Sequence, residues 1–352
     1  MPTSPDTLVN PHLPWKRRWS ALSDESRGWV WGLLGVLMFA VTLPMTRLAV
    51  GTAEAPQWSP LFVMAGRAAV AAALSAAYLL AVRAAWPPRH LIAHLLACGV
   101  GTVLGFPGCL AIALRHVDAS HAAVITGVLP LATAVLAVGL TRRRAGRGFW
   151  LCALVGAGLV LAYAVHSASG APGWADGLLL LAVLFAAGGY VAGAKASAEL
   201  PAAQVTCWVL VLAMPVTLPW AWLTWPAQPA AIAPSAWVGL AYVSLFSMWL
   251  GFFAWYHGLA LGGAARVSQV QLLQPFFSLL AAVPLLQESL DGAAVGCALA
   301  VGAVVWVARR MPAPAPEALW VASVSAGLPP IAGAALPAEP EPERPPHSPC
   351  HP

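Results

Sequence analysis

Charged side chains are scarce in this chain, and their scarcity excludes a water-soluble globular domain. Asp, Glu, Lys and Arg make up 9% of the 352 residues, while 60% are hydrophobic. An ordinary soluble domain carries about 25% charged residues. Water cannot cover a surface this poor in charge, so lipid must do so. We therefore expect the lipid bilayer as a partner, and we do not interpret the net charge of +5 as a sign of nucleic-acid binding.

The chain also lacks the residue spacings that are typical of metal sites and enzymes. Its six cysteines are scattered without a C-x-x-C pair, and small apolar packing residues are the ordinary interpretation of such cysteines. There is no glycine-rich phosphate loop, no metal-spaced set of His and Cys, and no G-x-S-x-G motif. We accordingly predict no enzymatic activity, no metal and no cofactor.

Long apolar runs are abundant and determine the predicted architecture. A helix needs about 20 apolar residues to cross a hydrocarbon core of about 30 Å, and ten runs meet or approach this length. They cover residues 29–50, 60–82, 91–113, 119–140, 148–166, 175–195, 204–224, 236–260, 266–287 and 292–308. The first run is longer than the apolar core of a cleavable signal peptide, so we expect it to be retained.

The lysines and arginines are distributed unevenly between the two ends of these runs. With the N-terminus in the cytoplasm, 14 of the 18 fall on the cytoplasmic side and 2, Arg47 and Arg115, on the other. Of the remaining two, Arg67 lies inside a run and Arg344 in the C-terminal region. Cytoplasmic loops of membrane proteins carry an excess of Lys and Arg. This asymmetry predicts that both termini are cytoplasmic.

Two prolines lie deep inside apolar runs at corresponding positions. At an offset of 145 residues, Pro130 matches Pro275 and Thr133 matches Ser278. Proline removes a backbone hydrogen bond from a helix, and in lipid such a defect persists only where protein or a water-lined cavity repairs it. Proline-interrupted helices at matching positions of two halves indicate a transporter's binding site. We therefore interpret Pro130 and Pro275 as helix breaks beside such a site.

Ten runs with both termini on one side divide into two halves of five, and an odd number per half inverts the second half relative to the first. The predicted fold class is an all-α integral membrane protein with ten transmembrane helices arranged as two inverted five-helix repeats. Its parts are a cytoplasmic N-terminal tail at 1–28, a first repeat at 29–166, a second repeat at 175–308 and a disordered, proline-rich cytoplasmic tail at 309–352.

Several stretches of this sequence resemble a known family. The second half contains WYHGLALGGAARVSQ and then LLQPFFSLLAAVPLLQESLDG, and the first half contains WGLLGVLMFAVTLPMTRLAV and FVMAGRAAVAAAL, which includes Arg67. These stretches resemble EamA-type members of the drug/metabolite transporter superfamily over roughly residues 29–309. The resemblance implies a ten-helix, inverted-repeat carrier, often a bacterial inner-membrane exporter of amino acids or other small metabolites. The family usually has Glu before the proline of the ninth helix, where this chain has Gln274, so no proton-coupling carboxylate is available there.

Polar side chains inside the runs are the first candidates for substrate binding. Gln271, Gln274 and Ser278 share one helical face and need partners at membrane depth. Their alternative role is hydrogen bonding between helices. Arg67, about 10 Å from the end of its helix, can bind a carboxylate with two hydrogen bonds, extend to the interface, or bond to backbone carbonyls. The predicted substrate-binding residues are Arg67, Thr126, Trp249, Tyr256, Gln271, Gln274 and Ser278.

Aromatic residues and histidines supply the remaining candidates. Trp249 and Tyr256 belong to an aromatic stripe, which either lines an apolar cavity or packs against helices and lipid. His121 and His257, near the ends of runs, are candidate proton relays because histidine titrates near neutral pH. A water-facing histidine at the membrane interface is the alternative interpretation of both.

These features predict a secondary transporter that moves a small organic metabolite, amino-acid-like or drug-like, across the inner membrane by alternating access, as an exporter. The alternatives are a membrane-embedded scaffold, a lipid-modifying protein without transport activity, and a channel. A small-molecule substrate and the bilayer are the expected partners, and a homodimer is left open.

Overall fold

The computed structural model describes residues 22–141, 146–167, 173–262, 268–289 and 291–310. Within these ranges the chain is helical apart from loops and an isolated β-bridge between Gly51 and Pro56, which confirms the all-α prediction for them. Most of the predicted N-terminal tail, the proline-rich tail beyond residue 310 and the arginines at 142–144 lie outside the described residues.

The helices are numbered here in chain order. They are α1 Asp24–Ala40, α2 Thr42–Val50, α3 Pro60–Ala81, α4 Arg89–Gly99, α5 Phe106–Ala113, α6 Ala119–Thr126, α7 Leu129–Thr141, α8 Arg147–Ser167, α9 Trp174–Ser197, α10 Ala202–Leu223, α11 Pro234–Tyr242, α12 Gly251–Gly262, α13 Gln274–Leu286 and α14 Gly292–Arg310. Two π-helical stretches, Val100–Gly105 and Val243–Leu250, and two 3₁₀ turns, Pro229–Ala231 and Ser268–Leu273, lie between them.

The apolar helices of the described residues form ten segments. In order, segments 1 to 10 are Ser26–Val50, Pro60–Ala81, Arg89–Ala113, Ala119–Leu140, Trp150–His166, Trp174–Ser197, Ala202–Leu223, Pro234–Gly258, Val270–Leu286 and Gly292–Val307. Seven of them are long and apolar enough to cross a membrane, whereas segments 5, 9 and 10 are shorter.

Contacts between loops show that successive segments run in opposite directions. Arg115, which follows segment 3, donates to the carbonyl of Val50 at the end of segment 1, with Nη2 and O 3.0 Å apart. Because the loop 51–59 also lies there, we call this the 51–59 end of the bundle. At the opposite end, which carries residues 82–88 and which we call the 82–88 end, His90 Nε2 lies 2.9 Å from the Glu199 carboxylate, which follows segment 6.

The segments pack in a pattern that is the same for both halves. Segment 1 lies along segment 8 and segment 3 lies along segment 6, while segment 2 packs on 7, segment 4 on 9 and segment 5 on 10. Glycine is required at two of these crossings. A Cβ on Gly105 would lie 2.3 Å from the ring of Phe185, and a Cβ on Gly251 would lie 2.8 Å from the ring of Phe39. Small residues of this kind let membrane helices approach closely.

Segment 1 is broken at Val41, between α1 and α2. Pro44 has no N–H to donate to the carbonyl of Ala40, four residues earlier. The hydroxyl of Ser278 in segment 9 donates to that carbonyl instead, with Oγ and O 2.8 Å apart. A neighbouring segment therefore repairs the defect that Pro44 leaves in segment 1.

Segments 4 and 9 are interrupted immediately before their prolines. Helix α6 ends at Thr126, and the helix that contains Pro130 begins three residues later. Segment 9 enters through the 3₁₀ turn Ser268–Leu273, and the helix that follows has Pro275 at its second position. Both prolines therefore stand in the first turn of a helix, where no helical N–H is needed.

The two π-helical stretches lie in segments 3 and 8, which occupy corresponding places in the two halves. A π-helical turn carries one extra residue and is frequently found at functional sites. In segment 8 the stretch Val243–Leu250 contains Ser247, which faces the centre of the bundle.

Candidate functional site

A cavity lies at the centre of the bundle, where segments 1, 2, 3, 4, 6, 8 and 9 meet. The space that its lining residues enclose is about 740 Å³, part of which is open to solvent. Its polar lining residues are Thr42, Arg67, Thr102, Thr126, Tyr190, Ser247, Gln271 and Gln274. Phe39, Phe106 and Phe252 supply aromatic surface to the same cavity.

Arg67 is the one ionisable cation among these lining residues. Its side chain is 3% exposed, and its Nη2 donates to Ser247 Oγ at 2.8 Å. Its Nε is buried with no hydrogen-bond partner. The guanidinium therefore neither extends to the interface nor bonds to backbone carbonyls, which were two of the alternatives that the sequence left open.

Ser247 holds the guanidinium from segment 8, and Thr42 of segment 1 bonds to Ser247. Thr42 Oγ1 donates to Ser247 Oγ at 2.9 Å, so Ser247 Oγ accepts from both Thr42 and Arg67. Thr42 is the first residue after the break in segment 1, and Ser247 lies in the π-helical stretch of segment 8. Irregular backbone in two segments thus places Thr42 and Ser247 in one hydrogen-bonded chain that ends at Arg67.

Gln271, Gln274 and Thr126 lie where two cavities meet. They line the central cavity and also a second cavity of about 570 Å³ that extends toward segment 10. Pro130 and Pro275 cannot donate to the carbonyls of Thr126 and Gln271, which precede them by four residues. The structure therefore brings four of the predicted residues, Arg67 among them, to one space beside both prolines.

The other predicted binding residues lie around this space. Ser278 lines the second cavity but is 1% exposed, and its hydroxyl is used in the bond to Ala40. Tyr256 lines a third cavity of about 500 Å³, which shares Tyr190 and Phe252 with the central cavity. Trp249 packs against Phe253, with ring centroids 4.8 Å apart, and is not among the residues that line the central cavity.

The two candidate relay histidines lie at opposite ends of the bundle. At the 51–59 end, His121 Nε2 lies 2.6 Å from Oδ1 of Asp176, whose Oδ2 accepts from the backbone N–H of Gly173 at 2.8 Å. At the other end His257 is exposed and meets Trp31 edge-on, with ring centroids 5.2 Å apart. Neither histidine lines the central cavity.

Polar contacts between the two halves gather at the 51–59 end. The Glu288 carboxylate accepts from the backbone N–H groups of Ala119 and Ser120 at 2.8 and 2.9 Å. Gln57 Oε1 accepts from the backbone N–H of Ala233 at 2.8 Å. Together with the His121–Asp176 pair, these contacts tie the halves together above the cavity, and we call them the end ties.

Sequence reasoning missed part of this site. It did not identify Thr42, Thr102 or Ser247 as lining residues. A hydroxyl residue in an apolar helix has no pattern that separates cavity lining from helix packing, and a π-helical turn has no sequence signature. Pro44, two residues after Thr42, is the signal that could have located the break in segment 1.

Within the parts of the chain that the structure describes, no group of three or more His, Cys, Asp or Glu side chains could hold a metal ion. The chemistry that the central cavity offers comes instead from one cation, several hydroxyl and amide groups, and aromatic rings.

Comparison with known proteins agrees with this architecture. The EamA-like transporter family matches the chain twice, over residues 26–164 and 173–309. The chain is similar to the Bacillus subtilis (strain 168) protein named "Uncharacterized transporter YdeK", with 42% identity over 289 residues, which cover 82% of this chain and 99% of that protein. A solved structure named "Crystal structure of protein" has a similar fold, with a TM-score of 0.56 and 16% identity over 82% of this chain and 100% of its own.

Proposed function

The chain belongs to the EamA-like transporter family, and from this premise we propose that it is a secondary transporter that moves a small organic metabolite by alternating access. It is a multi-pass membrane protein of a transporter family rather than of an enzyme family. The observation that carries the proposal is the central cavity, which both halves build beside matching helix breaks. Such discontinuous helices at the interface of two repeats are where secondary transporters bind their substrates.

The packing supports an arrangement of ten membrane helices in two inverted repeats. Gly251 follows Gly105 by 146 positions, and Phe185 follows Phe39 by the same interval. The contact of Gly105 with Phe185 therefore corresponds to the contact of Gly251 with Phe39, with the two halves exchanged. A two-fold axis between duplicated units produces such reciprocal contacts. The shorter segments 5, 9 and 10 then complete the two sets of five.

The end ties support alternating access with one side closed. Three polar links join the halves at the 51–59 end, while the 82–88 end has the exposed pair His90–Glu199 between the halves in the described ranges. The excess of Lys and Arg at the 82–88 end orients it toward the cytoplasm. We propose that the end ties close the outer side and that the two halves rock apart there to release solute.

The localisation and direction that we propose follow from the same asymmetry. We place the protein in the bacterial inner membrane with both termini cytoplasmic, and we propose export because the resemblance favours exporters of small metabolites. A homodimer stays a prediction.

The competing proposals are a scaffold and a lipid-modifying protein. A scaffold has no use for a buried arginine whose Nε points to no protein partner, since such a group costs stability. A lipid-modifying enzyme needs acidic residues or histidines that are free to act at one membrane face, whereas the carboxylates of Glu288 and Asp176 at the 51–59 end are held in the end ties. Transport gives both the cavity and its unsatisfied donor a role.

Comparative metabolomics followed by vesicle uptake tests this proposal. Cells that overproduce the protein should change the internal pool of at least one small organic solute, and inverted vesicles should then accumulate that solute. Gln274→Leu removes an amide from the cavity and should reduce this flux, whereas the matched change Gln204→Leu in segment 7 should not. An unchanged metabolite pool together with equal fluxes for both variants would refute the transport proposal.

A further inference from the structure

The central cavity contains a buried charge that is poorly satisfied by the protein. Arg67 has five N–H donors, and the structure gives its guanidinium one hydrogen bond, from Nη2 to the neutral hydroxyl of Ser247. Nε is buried without a partner. Buried polar groups are nearly always paired, and an exception calls for an explanation.

Among the residues that the structure describes, no acidic side chain supplies a counter-charge at this depth. The chain has 13 acidic residues, and none lies in the interior of an apolar segment. Asp176 comes nearest to doing so, as the third residue of α9, but its carboxylate is bonded to His121 at the 51–59 end. In the described ranges no carboxylate lies within 4 Å of the Arg67 guanidinium. An unpaired charge in a membrane interior is expensive, so the missing anion has to come from outside the protein.

The other lining residues suit the rest of an organic anion. Ser247 and Gln274 offer uncharged donors that can complete the hydrogen bonds of a carboxylate. Phe39, Phe106 and Phe252 offer apolar surface for a carbon skeleton. The described lining residues include no Asp or Glu that could pair with an ammonium group.

We propose that the central cavity binds an organic monocarboxylate and that Arg67 holds its carboxylate. This inference rests on the proposed transport function and narrows it to one substrate class. A carboxylate matches the planar guanidinium better than a point charge does. An amine is repelled by Arg67, a neutral amide leaves the charge unpaired, and an amino acid brings an ammonium group for which the cavity has no anion.

The inference is tested by ligand-induced stabilisation of the purified full-length protein in detergent. The probes are phenylacetate, phenylacetamide, phenethylamine and phenylalanine at equal concentration, with benzoate and indole-3-acetate as further carboxylates. A ligand that binds only the folded state raises the Tm. We expect at least one carboxylate to raise the Tm and the amide, amine and amino acid to do so weakly or not at all.

Variants connect this effect to the arginine. Arg67→Gln should weaken carboxylate binding by about tenfold or more, because hydrogen bonds to charged groups contribute about this much. The matched change Arg89→Gln, at the exposed start of segment 3, should leave binding unchanged. If Arg67→Gln does not fold, the comparison of acid with amide on the unaltered protein still decides the question.

Three outcomes would overturn the inference. They are no protection by any carboxylate, equal protection by phenylacetamide, and equal protection by chloride or phosphate, which would assign the arginine to an inorganic anion. Vesicle uptake separates this inference from the proposed function. Uptake of a neutral solute without carboxylate binding refutes the anion site alone, whereas carboxylate binding without any uptake refutes transport alone.

Discussion

The two halves, residues 26–164 and 173–309, share two backbone irregularities and differ in their polar side chains. Both have a π-helical stretch in their third segment and a break before the proline of their fourth.

The polar side chains of the cavity differ between the halves. The first half contributes Arg67, while the corresponding region of the second half has Leu212 and Ala213. The second half contributes Gln271 and Gln274, where the first half has Thr126 and Leu129. Backbone geometry is retained because packing depends on it, whereas a substrate that lacks two-fold symmetry needs different groups from each half.

The largest effect on transport is expected when the second half contributes a carboxylate to the central cavity. Gln274→Glu places a negative charge in the cavity that Arg67 lines, so the new side chain competes with the substrate for the cation and repels its carboxylate. We expect uptake into proteoliposomes of a labelled carboxylate that raises the Tm of the unaltered protein to fall by about tenfold or more. Gln204→Glu, outside the cavity, serves as the control. Uptake at the original rate in the Gln274→Glu protein would argue against an anionic substrate.

The end tie made by Glu288 belongs to the second half, and its counterpart at the 145-residue offset is Arg143. Glu288→Gln replaces a charged acceptor by a neutral one at the N–H groups of Ala119 and Ser120, which weakens each bond by about 1 kcal/mol. We expect faster amide hydrogen exchange at the start of segment 4, measured by mass spectrometry.

The control for this measurement is Asp291→Asn. Asp291 follows Glu288 by three positions. Its Oδ1 accepts from the backbone N–H of Ala293, which belongs to the same half. Its replacement should leave exchange at Ala119 and Ser120 unchanged. Equal exchange in the Glu288→Gln and unaltered proteins would show that the carboxylate does not hold the outer side closed.

The reciprocal glycine contacts offer a symmetric test. Gly105→Ala and Gly251→Ala each push a Cβ into a phenylalanine ring, and overpacking of this kind costs about 1–3 kcal/mol. Both variants should unfold at lower temperature by similar amounts. Gly158→Ala, where a Cβ would meet nothing within 4 Å, should be neutral or stabilising. A large loss for one glycine and none for the other would contradict the two-fold arrangement.

The smallest expected effect concerns the break in segment 1. Ser278→Ala leaves the Ala40 carbonyl without its donor, at a cost of about 1–2 kcal/mol. Pro44→Ala restores a backbone N–H four residues after Ala40, so Ser278→Ala should cost much less in that background. A double-mutant cycle on thermal or denaturant stability measures the difference. Additive effects would show that the hydroxyl does not compensate for the proline.

The sequence predicts those features of the fold and site that depend on residues close together in the chain. Long apolar runs predicted apolar membrane helices, and several stretches predicted membership of the EamA family. The described residues form such helices, and the family match is confirmed. Pro130 and Pro275 each lie in the first turn of a helix that follows a break, whereas the helix Ala202–Leu223 continues through Pro215 and Pro219, so a proline alone does not predict a break. Sequence reasoning placed Arg67, Gln271 and Gln274 among the candidates, and the structure brings them to one cavity.

The end ties and the hydrogen bond of Arg67 were not predicted, because they join residues that are far apart in the chain. Glu288 and Ala119 are 169 positions apart, and Arg67 and Ser247 are 180 apart. No periodicity within a helix predicts such pairs. Trp249 looked equivalent to Tyr256 in the sequence, yet they face different neighbours, since the π-helical stretch that ends at Leu250 changes the register of the helical face between them.

The accessibility of introduced cysteines tests whether the central cavity opens to one side of the membrane at a time. In a background without the six native cysteines, Thr126→Cys and Gln271→Cys place one thiol from each half in the same cavity, and Ala164→Cys, in a position that is 3% exposed, is the buried control. We expect a membrane-impermeant thiol reagent to label both cavity positions from the 82–88 side only and to label neither from the 51–59 side. Labelling from both sides at once, or no labelling at either position, would contradict a cavity that opens to one side at a time.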